Sequence, residues 1–143
     1  MGDAPDLIGR AQKYAAEAFA FYERFPFPSK GWHAAGQFYR ASSSAAANYC
    51  AAKRGRSSAE FISKLGTVVE EIDEAVRWLE HMRDVKIAID LDLLSEAEQL
   101  RRIWGASLGT ARRNENARKQ RIRNERVKKQ RRSDPNHSRS VEQ

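Results

Sequence analysis

A run of lysine and arginine near the C-terminus is the feature of this sequence best suited to binding chemistry. Residues 112–132 carry eleven of these cations, and closely spaced cations neutralise phosphates and release the counterions of a nucleic acid. The run contains no Phe, Tyr or Trp to stack on a base. It is therefore expected to contact the sugar-phosphate backbone of a nucleic acid without recognising the base sequence. The alternative is a solvated charged end with no ligand. The predicted contacts are Arg112, Arg113, Arg118, Lys119, Arg121, Arg123, Arg126, Lys128, Lys129, Arg131 and Arg132.

A second basic cluster, Lys53, Arg54 and Arg56, surrounds Gly55. It falls between two predicted helices, and the free N–H groups at the start of the second of them also attract anions. These three residues are therefore further candidates for nucleic-acid binding. The alternative is a polar turn in which Gly55 ends the first helix.

An acidic group, Glu70, Glu71, Asp73 and Glu74, raises the question of metal binding or acid–base catalysis. A di-iron helical bundle needs Glu-x-x-His pairs, and none of the three histidines has a Glu three residues before it. The carboxylates are expected to be surface charges or partners of arginines such as Arg40. With no phosphate loop or nucleophile motif either, the sequence predicts no catalytic residue, no metal, no cofactor and no enzymatic activity.

Charge and cysteine content restrict the class of protein further. Residues 1–109 have a net charge of −1 and residues 110–143 a net charge of +8, so attraction to a polyanion must come from the C-terminal part or from local patches. Cys50 is the single cysteine, which excludes an intramolecular disulfide. Neither a signal peptide nor an apolar run long enough to span a membrane is seen. These patterns predict a cytoplasmic protein without membrane contact.

The elements that must position these residues are four helices, because apolar residues recur three and four apart and nothing alternates with period two. We predict helices over about residues 5–24, 30–53 and 57–83, and a fourth beginning at about residue 90 or 95. Ser57 and Glu60 form a capping box at the start of the third. The third helix carries a heptad-like seam, made by Leu65, Val68, Ile72, Ala75, Leu79 and Met82. The fold class predicted is all-α, an antiparallel up-down four-helix bundle.

The basic run is predicted to form a flexible C-terminal extension of helix four. Its apolar stripe ends near Arg113, so the bundle domain is placed at residues 1–113 and the basic tail at residues 114–143. Having little to bury, the tail is expected to be unordered alone and to continue the helix as far as Pro135 when bound.

Two further features could serve oligomerisation or simple packing. Asn48 lies in helix two next to a run of small residues, where its amide either specifies register or a subunit contact, or bonds within the bundle. Aromatic residues cover more than one face of helix one and its exit, as for a second buried surface or for a lid over the bundle end. They are Phe19, Phe21, Tyr22, Phe25, Phe27 and Trp32.

Residues 37–74 closely resemble the four-helix bundle proteins of the 23S rRNA intervening-sequence family. The resemblance rests on a Gln-x-x-Arg-Ala start, an Ala-Asn in helix two, and the Arg-Ser and Glu-Phe pairs that open helix three. It covers about residues 6–114, with a closing Thr-Ala-Arg-Arg-Asn at residues 110–114. The residues matching the family's pattern are Arg40, Asn48, Ser57, Glu60 and Phe61.

The resemblance implies an antiparallel bundle that assembles into a homopentamer. A related branch is similar to the accessory protein of diversity-generating retroelements, which engages a reverse transcriptase and nucleic acid. Together with the charge pattern, this favours a non-enzymatic oligomeric module that binds RNA or DNA electrostatically as a scaffold or accessory protein. The alternative is a protein–protein adaptor, such as a reverse transcriptase accessory subunit, with an incidental tail.

Overall fold

The computed structural model describes residues 6–136, which form four helices. They are α1 (Leu7–Tyr22), α2 (Trp32–Lys53), α3 (Ser58–Asp84) and α4 (Leu91–Ser133). The all-α prediction is confirmed, and helix bounds read from periodicity agree with these except at the end of α4. Pro5, where the first helix was predicted to begin, and tail residues 137–143 lie outside the described residues. Within the described range, no helix has the length and apolar character needed to cross a membrane.

Consecutive helices run antiparallel, as side-chain contacts between them show. Tyr22 near the end of α1 stacks on Tyr39 of α2 with ring centroids 5.7 Å apart, whereas Tyr14 reaches Ser42, further along α2. Early in α2, His33 packs on Trp78 near the end of α3. Asp73 of α3 in turn pairs with Arg101 of α4. Each helix therefore reverses the direction of the one before it, as an up-down bundle requires.

The core is built from the apolar stripes of all four helices. The seam of α3 is fully buried from Leu65 to Met82, as its spacing predicts. On α2 the buried positions opposite it are mostly alanine, and small side chains allow two helix backbones to approach closely. Trp104 of α4 is fully buried and lies against Tyr49 of α2, with ring centroids 5.2 Å apart.

Helix α4 also contacts α1, and polar side chains take part in this contact. Arg10 Nε donates to Glu96 Oε1 at 2.6 Å, and Arg10 Nη2 donates to Gln99 Oε1 at 3.0 Å. Both residues of the ion pair are partly exposed, so solvent screens the pair and its net contribution to stability is small. The hydrophobic core, not this ion pair, holds the four helices together.

Helix α4 continues through the basic run, contrary to the expectation that the run is unordered alone. It extends for 43 residues to Ser133, with no break near Arg113. A helix already nucleated in the bundle adds residues without a new nucleation cost, and Arg, Lys, Gln and Glu have good helix propensity. Asp134 leaves the helical region just before Pro135, because a residue preceding proline disfavours the α conformation.

The predicted aromatic cluster is divided between the core and the surface at one end of the bundle. Phe21 is buried, and Phe25 packs against Gly31 and Ile87, where the α1–α2 and α3–α4 connections meet. Phe27 is 73% exposed and makes an edge contact with the partly exposed Trp32 at 4.9 Å. This exposed pair lies at the bundle end opposite the α2–α3 turn.

Gly31, immediately before α2, should be sensitive to substitution. Its φ of 90° lies in the left-handed region, and an added Cβ would stand 3.0 Å from Phe25 Cδ1. We expect Gly31→Ala to lower the free energy of unfolding by about 1–2 kcal/mol, measured by urea denaturation. Gly105→Ala is the matched control, because its Cβ would meet nothing within 4 Å in the described chain and alanine stabilises a helix interior by roughly 0.5–1 kcal/mol. Equal effects at the two positions would contradict this account.

Candidate nucleic-acid interface

The turn between α2 and α3 is held by local hydrogen bonds, and its cationic side chains are exposed to solvent. Ser57 Oγ accepts from the Glu60 N–H at 3.1 Å, and the Glu60 carboxylate accepts from the Arg56 N–H at 3.3 Å. The Ser57 half of the predicted capping box is therefore present, whereas the Glu60 carboxylate accepts from the N–H of Arg56 and not from that of the N-cap residue Ser57. Lys53 ends α2 and, like Arg54 and Arg56, is exposed. The turn therefore displays three cations at the start of α3.

The face of α4 that is apolar inside the bundle becomes charged where it passes this turn. The buried stripe of Trp104 and Leu108 continues one turn after Ala111 into Glu115, which is only 8% exposed. Arg118 binds this carboxylate with a fork of two hydrogen bonds, Nε to Oε2 at 3.1 Å and Nη2 to Oε1 at 2.8 Å. The pair satisfies a carboxylate that packs beside the first turns of α3.

A cleft of about 510 Å³ brings the two predicted basic clusters together. Lys53 lines it from the turn, and Arg118 and Arg121 line it from α4. Arg54 and Arg56 lie on the same turn but do not line the cleft. Arg112 and Lys119 line a neighbouring groove of about 270 Å³ on the other side of Glu115. Residues about 60 positions apart in the sequence thus form one basic surface.

Beyond the cleft, α4 projects past the start of α3 as an overhang, defined here as residues 123–133. At about 1.5 Å per residue, it extends roughly 16 Å, and all of its residues are exposed. Its cations face several directions around the helix, since they do not recur at a helical period. They are Arg123, Arg126, Lys128, Lys129, Arg131 and Arg132. Arg113, the one predicted contact of the basic run not yet placed, lies before the cleft, is exposed and donates to Thr110 Oγ1 at 3.2 Å.

The residues carrying the family resemblance have mostly local contacts. Arg40 pairs with Glu74 and lies 3.8 Å from Glu71, as predicted for the acidic group. The Asn48 amide donates to Ser44 O at 3.0 Å within α2, the intra-bundle alternative. Two of these residues, Ser57 and Phe61, line the cleft. Among residues 6–136, no three His, Cys, Asp or Glu side chains converge so as to hold a metal ion.

Sequence reasoning missed Glu115 and the cleft-lining Ser58 and Asn114. Glu115 did have a signal: it stands at the next position of the stripe that includes Leu108 and Ala111. The eleven cations around it dominate the charge pattern of the run and hide this place on the stripe. Ser58 had no sequence signal and Asn114 stood out only as the end of the family-like stretch 110–114, because their place in one cleft depends on how α3 packs against α4.

The Glu115 carboxyl should remain ionised in mild acid. Hydrogen bonds from Arg118 lower its pKa below the ordinary value of 4.5, with Lys119 adding to the effect. The stabilisation from the pair is therefore present above the ordinary pKa and is lost as the pH falls through the lowered one. We expect a ¹³C NMR titration of this carboxyl to show a depressed midpoint, which Arg118→Gln raises and the control Arg123→Gln leaves in place. An unchanged midpoint in Arg118→Gln would contradict the assignment.

Comparison of the chain with protein-family models, with curated proteins and with solved structures gives no significant match in any of the three. The resemblance to the intervening-sequence family, and the pentamer that it implies, therefore stay predictions.

Proposed function

We propose that this protein is a non-enzymatic module that binds RNA or DNA electrostatically, as a scaffold or accessory protein. The observation that carries the proposal is the convergence of two basic segments at one end of the bundle. Residues 53–56 and 112–132 together hold fourteen Lys or Arg and two Glu. Such a density of like charge costs self-repulsion, which phosphates of a bound nucleic acid would relieve.

The shape of the overhang also suits a nucleic acid. It is a single exposed helix with cations around its circumference, and the major groove of B-DNA admits an α-helix. Because it contains no aromatic residue, its contacts are to phosphates and carry no sequence information. The expected binding is tight at low salt and insensitive to base sequence.

A salt titration tests the proposal directly. The full-length protein is titrated into labelled RNA and into labelled double-stranded DNA at several salt concentrations. With six to ten phosphates neutralised, affinity for duplex DNA should fall by about 10³–10⁵-fold between 50 and 200 mM salt. A deletion of residues 120–143 retains the cleft's Lys53 and Arg118 and should show a much shallower dependence. Undiminished binding by that variant would rule out the tail's role.

The second candidate function is a protein–protein adaptor, such as an accessory subunit of a reverse transcriptase. The exposed pair Phe27 and Trp32 favours it, since aromatic residues are enriched in the buried centres of interfaces. Capture of partners after nuclease treatment distinguishes the two functions. A partner protein that is retained by the tail-deleted chain and lost in Phe27→Ser would favour the adaptor.

Assembly into a homo-oligomer, a pentamer by the family resemblance, is a further part of the proposal. Several copies would bring several basic ends to one nucleic acid, and linked sites bind more tightly than single ones. Light scattering coupled to size-exclusion chromatography measures the mass directly. A mass of one chain at micromolar concentration would remove this part of the proposal and leave the basic surface unaffected.

A further inference from the structure

The cleft at the α2–α3 turn has an apolar wall that electrostatic binding does not use. Phe61 and Ile62 of α3 line it, with Ala52 and Ala111 on the flanking helices. Phe61 and Ile62 are only partly buried, at the end of the bundle where α2 stops at Lys53. The cleft thus presents an aromatic ring and aliphatic side chains within the basic surface.

The cleft is also lined by cations and lies at the start of α3, where backbone donors are free. Lys53 and Arg121 line it and form no ion pair within the described part of the chain. Arg118 is held by Glu115. At the start of α3, the Ser57 side chain accepts a hydrogen bond from the Glu60 N–H only. The N–H groups of Ser58 and Ala59 lie in the first turn and therefore have no intrahelical acceptor. These cations and donors are suited to a phosphate.

We propose that the cleft binds one unpaired nucleotide, with its base against Phe61 and its phosphate between Lys53 and Arg121. The inference rests on the proposed function and adds single-stranded preference to it. The volume of the cleft, about 510 Å³, lies in the range of roughly 300–1,000 Å³ seen for small-molecule sites. Bases of an intact duplex are stacked on one another and cannot reach the wall, whereas unpaired bases commonly stack on aromatic side chains.

The test compares two ligands that differ only in their bases. Oligothymidylate and an abasic oligomer with the same number of phosphates are each titrated against the full-length protein. Stacking on an aromatic ring predicts that oligothymidylate binds roughly fivefold or more tightly. Equal affinity for the two ligands would overturn the cleft assignment while leaving the proposed function standing. Absence of salt-sensitive binding to both would instead overturn the proposed function.

A pair of variants assigns the preference to the cleft. Phe61→Leu keeps an apolar side chain of similar volume and should reduce the preference for oligothymidylate to below about twofold. Phe19→Leu is the matched control, because Phe19 is also exposed but lies against Tyr39 on the outer face of α1 and α2. The control should retain the full preference. A preference that persists in Phe61→Leu, or that is lost equally in both variants, would refute the role of Phe61.

Discussion

Replacing the six cations of the overhang with glutamine should weaken binding to duplex DNA roughly a thousandfold near physiological salt. Each cation that neutralises a phosphate contributes about 0.9 to the slope of log affinity against log salt, so the slope should fall by as much as about five. Glutamine is close to lysine and arginine in helix propensity, and α4 should stay helical. Fluorescence anisotropy across a salt series measures the affinity, and circular dichroism checks the helix.

A charge-matched control separates the position of the cations from net charge alone. Arg24, Lys30 and Arg83 are exposed cations outside the basic surface, on or next to the connections at the other bundle end. Replacing these three with glutamine should change the affinity by less than about threefold, because charges more than a Debye length from the ligand are screened. Replacing three overhang cations should weaken binding by at least about tenfold. If the two triple variants behaved alike, binding would depend on total charge and not on this surface.

Trp104→Ala should lower the free energy of unfolding by about 3–5 kcal/mol, the usual cost of truncating a buried tryptophan. Trp104 is fully buried and packs against Tyr49, at a point where α4 meets α2 across the core. The surrounding core is closely packed and relaxes only partly, so truncation leaves a cavity. Urea denaturation monitored by circular dichroism measures the loss.

Trp104→Phe is the informative companion to that variant. The Trp104 Nε1–H is buried and has no acceptor in the described chain, and an unsatisfied buried donor costs about 1–3 kcal/mol. Phenylalanine removes that donor and keeps most of the packing, so the two effects offset each other. We expect the free energy of unfolding of Trp104→Phe to lie within about 1.5 kcal/mol of that of the unsubstituted protein. A loss as large as that of Trp104→Ala would mean that Nε1 is satisfied in solution, for example by a trapped water.

The helices themselves were predictable because their signals are local. Apolar residues at helical spacing along α3 must share a face, whatever else the chain does, and that face is buried from Leu65 to Met82. The cap that Ser57 provides for the Glu60 N–H is likewise contained within four residues of sequence. Pairing with Arg40 was one of two expected outcomes for the acidic group, and Arg40 lies beside Glu74 and Glu71.

The basic run was predicted to extend helix four only when bound, because the expectation weighed burial alone, and in the free chain it is already helical to Ser133. Beyond Arg113 the sequence has almost nothing apolar to bury, and an isolated segment of that kind does not fold. This segment is not isolated: it extends a helix whose nucleation cost is met by the bundle. Local pairs such as Glu115 with Arg118 add support along the way.

The sequence by itself determined four helices, a neutral body and a basic end, because periodicity and charge are properties of neighbouring residues. Only the tertiary structure decided that Lys53, Arg118 and Arg121 line one cleft, and that Phe61 forms part of its wall. This arrangement depends on the register in which α4 packs along α3. A shift of one helical turn, about 5.4 Å, would separate them, and no short-range pattern in the sequence specifies that register.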